Sequence, residues 1–162
     1  GIEFRGVLYA GLMWNRAKDQ YWVLEFNARF GDPEAQVLLP RIEGDLLEWL
    51  MACVDGRLGE LPARVPMSKL AALVVVAAAE GYPDSPRKGD VIQGLDDSGC
   101  DSVLFVSGAT KVADGWQTSG GRVCGVMALS ADLAKARSAV YASLDRLRFE
   151  GMHYRRDIGG KG

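Results

Sequence analysis

Cysteine and histidine are scarce in this chain: three cysteines, Cys53, Cys100 and Cys124, and a single histidine, His153. The cysteines are odd in number, widely spaced and never form C-x-x-C. That argues against a disulfide framework or a zinc site and makes a reducing compartment the expectation. The apolar settings of Cys53 and Cys124 mark them as small packing residues. One histidine excludes a multi-histidine metal centre, and no Ser-His-Asp or Cys-His arrangement can be assembled around it. Long apolar runs are also missing. The longest, Leu70–Ala79, has the length of a strand, so neither a transmembrane helix nor a membrane partner is expected. No signal peptide is visible, and the expected location is cytoplasmic. Neither charge sign dominates: 19 Lys and Arg against 21 Asp and Glu give −2. The summed charge gives no support to nucleic-acid binding or to an anionic membrane surface, although it leaves a small basic pocket open. The G-x-x-x-x-G-K-[ST] pattern is absent, which rules out a Walker P-loop.

What is present describes a globular chain. Its 162 residues are 48% hydrophobic and 25% charged, enough to bury a core in one domain or in a medium domain with a smaller piece attached. Glycine is plentiful at 20 residues, which implies many turns or close backbone approaches. The start, Gly1-Ile2-Glu3-Phe4-Arg5, has no initiator Met and enters an apolar pattern at once. The expectation is a trimmed start or a piece of a longer protein.

The spacing predicts strands over Gly6–Met13 and Tyr21–Phe26, joined by a polar turn. Asp32-Pro33 reads as a helix start, with Asp as N-cap and Pro in the first helical position, and the helix should stop near Pro40. A second helix is expected from Asp45. Its apolar face comprises Leu46, Leu47, Leu50, Met51 and Val54, and Gly56 should end it. Residues 59–68 read as a Pro-containing linker, so the expected domains are 1–58 and 69–162. Beyond the linker, strands are expected over Leu70–Ala79, Val91–Leu95, Val103–Ser107 and Arg122–Leu129, with a hairpin turn at Asp114-Gly115. Ser130 should cap a long helix carrying Leu133, Ala136, Val140, Leu144 and Leu147, closed by Gly151. His153 then sits in a short extended tail and reads as structural or exposed. The fold class is α+β with an antiparallel sheet and few helices.

Three stretches could carry chemistry. On an extended chain, Glu25, Asn27 and Arg29 share a face, and Phe26 is expected buried on the other. Carboxylate and amide oxygens suit Mg²⁺, and a guanidinium can neutralise phosphoryl charge. The same alternation is also met in a half-exposed strand with a surface Glu–Arg pair. Asp32 is a helix cap or a carboxylate for a substrate ammonium. Gly108-Ala109-Thr110-Lys111 and Ser119-Gly120-Gly121-Arg122 flank the predicted hairpin. Lys111 and Arg122 could converge on a phosphomonoester, with glycine amides facing the anion, or stand as two solvated cations beside turns.

The block Val23-Leu24-Glu25-Phe26-Asn27-Ala28-Arg29-Phe30-Gly31-Asp32-Pro33-Glu34 resembles the most distinctive segment of the glycinamide ribonucleotide synthetase (phosphoribosylamine–glycine ligase) family of the ATP-grasp superfamily. Further similar stretches follow in order: Arg5–Met13, Gly81-Tyr82-Pro83, Gly108–Lys111, Thr118–Val123 and Tyr154–Gly159. The resemblance implies the end of an ATP-grasp domain, an antiparallel sheet with helices. A small, mostly antiparallel β C-terminal domain with one long helix would follow. It implies a ligase of purine biosynthesis that joins glycine to 5-phosphoribosylamine through a glycyl phosphate. ATP is the co-substrate and Mg²⁺ or Mn²⁺ the metal. Glu25 and Asn27 match the metal ligands, and Arg29 matches the arginine facing the transferring phosphoryl group. Asp32 matches a substrate-side carboxylate, while Lys111 and Arg122 match cations holding the ribose 5-phosphate. Leu8–Leu12 offers no second acidic ligand, so the metal set stays at two residues. Family members are much longer. The missing N-terminal portion, with the nucleotide-binding lysines and adenine pocket, is therefore an expected partner, and this fragment alone is expected to be inactive. The alternative is a non-catalytic α+β module that keeps the phosphate pocket.

Overall fold

The computed structural model describes residues 1, 3–96 and 101–160, which form two units: residues 1–35 with 42–68, and residues 36–41 with 69–162. Cys100 lies outside the described residues.

The first unit is built on an antiparallel hairpin, β1 (Tyr9–Asn15) and β2 (Gln20–Asn27), with a register shift at Gly11/Leu12. The polar turn falls where the sequence puts it. Near it the Trp14 and Tyr21 rings stack with centroids 5.8 Å apart. Both faces of this ribbon are open: Leu12, Trp22, Leu24 and Phe26 are all exposed. Phe26, expected to be buried, is 60% exposed. A two-stranded ribbon covers neither of its own faces, so alternation alone cannot bury a side chain.

After β2 the chain does not enter a helix at Pro33. The Asp32–Pro33 peptide is cis, residues 32–34 form a turn, and α1 is only Ala35–Leu38. The Ala35 amide bonds back to the Gly31 carbonyl at 2.9 Å. Asp32 is thus a turn residue and not the residue that leads into helix. The next helix, α2 (Leu46–Asp55), follows the sequence closely. The Asp45 carboxylate accepts from the Leu47 amide at 2.8 Å, and Gly56 adopts a left-handed conformation at φ 73° to end it.

In the second unit, β3 (Ala71–Ala78), β8 (Arg122–Ser130) and β5 (Val103–Val106) form an antiparallel sheet in the order β3-β8-β5. A smaller sheet has the order β4-β7-β6, from β4 (Val91–Ile92), β6 (Ala109–Val112) and β7 (Gly115–Thr118). Alternation along β3 turns Leu73, Val75 and Ala77 inward opposite Ala128, Val126 and Cys124 of β8. Against that face packs α3 (Leu133–Leu144), whose Ala136, Val140 and Leu144 are fully buried at helical spacing. Burial pushes the Cys124 thiol up to about 12, so it remains a protonated packing group.

Three boundaries differ from expectation. The cap of α3 is Asp132, whose carboxylate accepts from the Lys135 amide at 2.8 Å; Ser130 is still paired with Ala71 in the sheet. Asp132→Ala is expected to destabilise the chain by about 1 kcal/mol, read as a lowered urea midpoint with unchanged slope. The helix ends at Leu144, and Gly151, at φ 65°, instead serves a turn against Glu80. Strand β4 stops at Ile92 because Gln93 pairs with Arg148 and Gly94 turns left-handed beside the Arg146 carbonyl. In the tail, His153 bonds through its backbone to Ala78, with its side chain exposed.

Candidate functional site

The first candidate site is the open end of the hairpin in the first unit. Pairing sets Tyr9 opposite Asn27 and Gly11 opposite Glu25. The Glu25 side chain lies over Gly11, where a Cβ would stand 3.2 Å from its Cγ. The amide of Asn27 donates to Glu25 Oε1 at 3.0 Å, so the two side chains share one side, as strand alternation requires. Arg29 lies beyond the strand end and donates to the Phe30 carbonyl at 2.8 Å. Glu25, Arg29 and Glu34 all act electrostatically on Tyr9. Asp32 is exposed at the turn.

Sequence reasoning passed over Glu34 and Tyr9. The Tyr9 hydroxyl donates to Glu34 Oε1 at 3.2 Å. The neighbouring Glu34 carboxylate is the main reason the phenol's pKa lies above its ordinary value; burial and Glu25 add to the rise, and Arg29 opposes it. A Cβ on Gly31 would fall 2.1 Å from Glu34 Oε2, so glycine there leaves room for the carboxylate. The signal was present in Gly31-Asp32-Pro33-Glu34, but the local helix-start pattern drew attention to Asp32.

Glu25 and Asn27 present a carboxylate oxygen and an amide oxygen from neighbouring positions. Turning the Asn27 amide puts its oxygen beside Glu25, a pair of hard donors suited to Mg²⁺ with water or phosphate oxygens completing the shell. The set fits a metal that shares its shell with a substrate. It does not form a closed protein cage: the described residues hold no group of three or more His, Cys, Asp or Glu side chains fit for one.

The second candidate site belongs to the second unit. The two glycine-rich stretches do meet there. The Gly108 amide donates to the Arg122 carbonyl at 2.8 Å, and the Ser119 and Gly120 amides donate to the Gly108 carbonyl at 2.8 and 3.1 Å. Those two amides are therefore occupied, whereas the glycine pattern suggested amides facing an anion. The glycines serve the crossing itself. A Cβ on Gly108 would lie 2.5 Å from the Arg122 carbonyl oxygen, and one on Gly121 would lie 2.3 Å from the Tyr82 ring. Arg122 starts β8 opposite Ala78. Lys111, paired with Trp116 in the β6–β7 hairpin, holds its ammonium 5.6 Å from the Trp116 ring centroid. The Trp116 indole N–H in turn donates to Asp96.

A clamp steadies this corner. Arg87 Nε donates to both Asp90 carboxylate oxygens at 3.0 Å, and its Nη1 reaches Glu80 at 2.6 Å. Thr118, which is buried, accepts from the Asp90 amide at 3.0 Å and donates through its own amide to the Asp90 carbonyl at 2.9 Å. The segment from Glu80 to Asp90 is thereby tied to the strand that leads into Ser119–Arg122.

Comparison with known proteins places this architecture. The family model described as phosphoribosylglycinamide synthetase, C domain, matches residues 72–161. The chain belongs to the phosphoribosylglycinamide synthetase family. The ATP-grasp (A) domain model of the same synthetase matches residues 1–35. A curated phosphoribosylamine–glycine ligase of Phenylobacterium zucineum is 46% identical over 161 residues, covering 98% of this chain and 37% of the relative. The Synechocystis sp. protein of the same name is 47% identical over 162 residues, covering 99% of this chain and 38% of its own length. The chain therefore spans less than two-fifths of these synthetase relatives. The crystal structure of phosphoribosylamine–glycine ligase from Thermotoga maritima superposes with a TM-score of 0.73 at 33% identity, over 93% of this chain and 36% of that one. N5-carboxyaminoimidazole ribonucleotide synthetase from the same organism shares the fold at a TM-score of 0.55 and 12% identity, over 90% of this chain and 37% of that one. Among the described residues, no helix is long and apolar enough to cross a membrane.

Proposed function

We propose that this chain is the C-terminal part of an ATP-dependent phosphoribosylamine–glycine ligase of purine biosynthesis. In this reading residues 1–58 end its ATP-grasp domain and residues 69–162 form its C-terminal domain. The observation that carries the reading is the Glu25–Asn27 pair at the strand end, in a chain that matches both synthetase domain models.

The reaction has two steps. A glycine carboxylate oxygen attacks the γ-phosphorus of ATP, and ADP leaves. The amine of phosphoribosylamine then attacks the acyl carbon of glycyl phosphate, the carbon–oxygen bond breaks, and phosphate departs with the product amide formed. Bringing a carboxylate to a triphosphate sets anion against anion, so positive charge must stand where charge develops. Glu25 and Asn27 would hold Mg²⁺, which supplies that charge against the phosphates when bound. Arg29, just past the strand end, adds a cation that steadies the transferring group. Asp32, exposed at the turn, is the carboxylate proposed to receive the ammonium of glycine. Lys111 and Arg122 hold the 5-phosphate of the second substrate. Lys111 holds its ammonium over the Trp116 ring, and Arg122 opens β8, where its carbonyl accepts from the Gly108 amide. The remainder of the nucleotide site belongs to the N-terminal portion of the ligase.

Charge-assisted hydrogen bonds to a phosphate contribute about 1.5–3 kcal/mol, or about ten- to 150-fold in affinity. In the full-length ligase, Arg122→Ala is expected to raise KM for phosphoribosylamine by that factor while changing KM for ATP less than about twofold. Steady-state kinetics with each substrate varied in turn reads the difference, and an unchanged phosphoribosylamine KM overturns the assignment.

A further inference from the structure

A tyrosine beside the Ser119–Arg122 loop has no role in the reading above. The edge of the Tyr82 ring abuts Gly121, so close that a Cβ there would stand 2.3 Å from Cδ2 and 3.0 Å from Cε2. Its position is fixed from both sides. The Tyr82 amide donates to the Ala79 carbonyl at 3.1 Å, and the Ala79 amide donates to the Gly121 carbonyl at 2.8 Å. Gly81 adopts φ 79° with the Ser85 carbonyl packed on it, and Arg87 ties the far side of the turn to Glu80 and Asp90. Yet Tyr82 stays 38% exposed, and its hydroxyl makes no hydrogen bond among the described residues. A ring held in this way, its edge on Gly121 (the residue before Arg122 in the chain) and its polar tip unused, offers an apolar face and a single neutral donor. That chemistry suits a sugar better than a phosphate, which the cations Lys111 and Arg122 serve.

We propose that Tyr82 is the sugar-reading residue beside the phosphate site assigned above to Lys111 and Arg122: the ring supports the ribose, and the hydroxyl hydrogen-bonds a ribose oxygen, so that a phosphoribosyl compound is preferred over phosphate alone. The proposal rests on the assignment of Lys111 and Arg122 as the phosphate cations. It also gives the Gly121 position a reason, because any side chain there would displace the ring.

The test uses this chain itself, titrated with ribose 5-phosphate and, separately, with inorganic phosphate, followed by two-dimensional amide NMR. Tyr82→Phe keeps the ring and removes the hydroxyl. It is expected to weaken ribose 5-phosphate about three- to tenfold, the range of one neutral hydrogen bond, and to leave inorganic phosphate within twofold. Gly121→Ala is expected to produce the same selective loss with the amide spectrum otherwise preserved. Arg122→Ala is expected to weaken both ligands. If Tyr82→Phe binds ribose 5-phosphate like the parent chain while Arg122→Ala loses both ligands, the phosphate site stands and the sugar-reading role falls. If Arg122→Ala changes neither titration, the phosphate assignment falls and takes this proposal with it. Equal weakening of both ligands by Tyr82→Phe also overturns the proposal, since it would mark a contact to phosphate or a general disturbance.

Discussion

Mixed with ATP, glycine and phosphoribosylamine in magnesium buffer, this chain by itself will release no ADP above a blank. The family's ATP-grasp model matches only residues 1–35, and the chain spans 37–38% of its curated relatives. The sequence carries no P-loop that could bind the nucleotide on its own. The hairpin leads to the same expectation physically. Leu12 at 53%, Trp22 at 48%, Leu24 at 63% and Phe26 at 60% exposure leave both faces of β1–β2 bare. A two-stranded ribbon of that composition is marginal in water until something covers it. A coupled assay for ADP reads the outcome, and the control is the full-length ligase in the same buffer. Magnesium-dependent ADP release that scales with this chain's concentration would mean that these residues hold a complete nucleotide site, and the ligase-part reading would have to be abandoned.

The second large effect is expected at Glu25. In the full-length ligase, Glu25→Gln should lower kcat by at least about a hundredfold. Replacing even an outer partner of a metal ligand costs about 10–100-fold, and Glu25 is the only anionic member of the proposed pair. Stability should barely move, because Glu25 is exposed and Gln conserves its volume. The expected profile is thus a collapsed kcat with an unshifted thermal midpoint, together with a higher Mg²⁺ concentration for half-maximal rate. A Glu25→Gln ligase with near-normal kcat and ordinary Mg²⁺ dependence would remove Glu25 from the metal site. Asn27 donates to Glu25 at 3.0 Å, so Asn27→Ala should raise the Mg²⁺ requirement in the same direction.

Where structure follows from neighbours along the chain, the sequence was sufficient. The β1–β2 hairpin closes on its polar turn, α2 starts at Asp45 and ends at Gly56, and β3 shows period-two burial against the helical stripe of α3. Each rests on local rules: a cap, a left-handed glycine, a periodicity. The Glu25–Asn27 pairing was readable for the same reason, since residues two apart on a strand share a side.

The rest required contacts between residues distant in sequence. Asp32-Pro33 carries a helix-start pattern, but residues 32–34 form a turn, and Glu34 is the carboxylate that receives the hydroxyl of Tyr9 on β1. Ser130 is as good a cap as Asp132 until sheet pairing with Ala71 claims it. Composition alone makes Gly108, Gly120 and Gly121 look like an anion loop. The fold spends them on a backbone crossing and on the Tyr82 ring, and the Gly120 amide, with that of Ser119, bonds to the Gly108 carbonyl. Sequence determined most of the strands and helices and the family they resemble. Tertiary structure decided which carboxylate, which cap and which glycine does what, because those choices turn on close approaches between segments that local propensity does not encode.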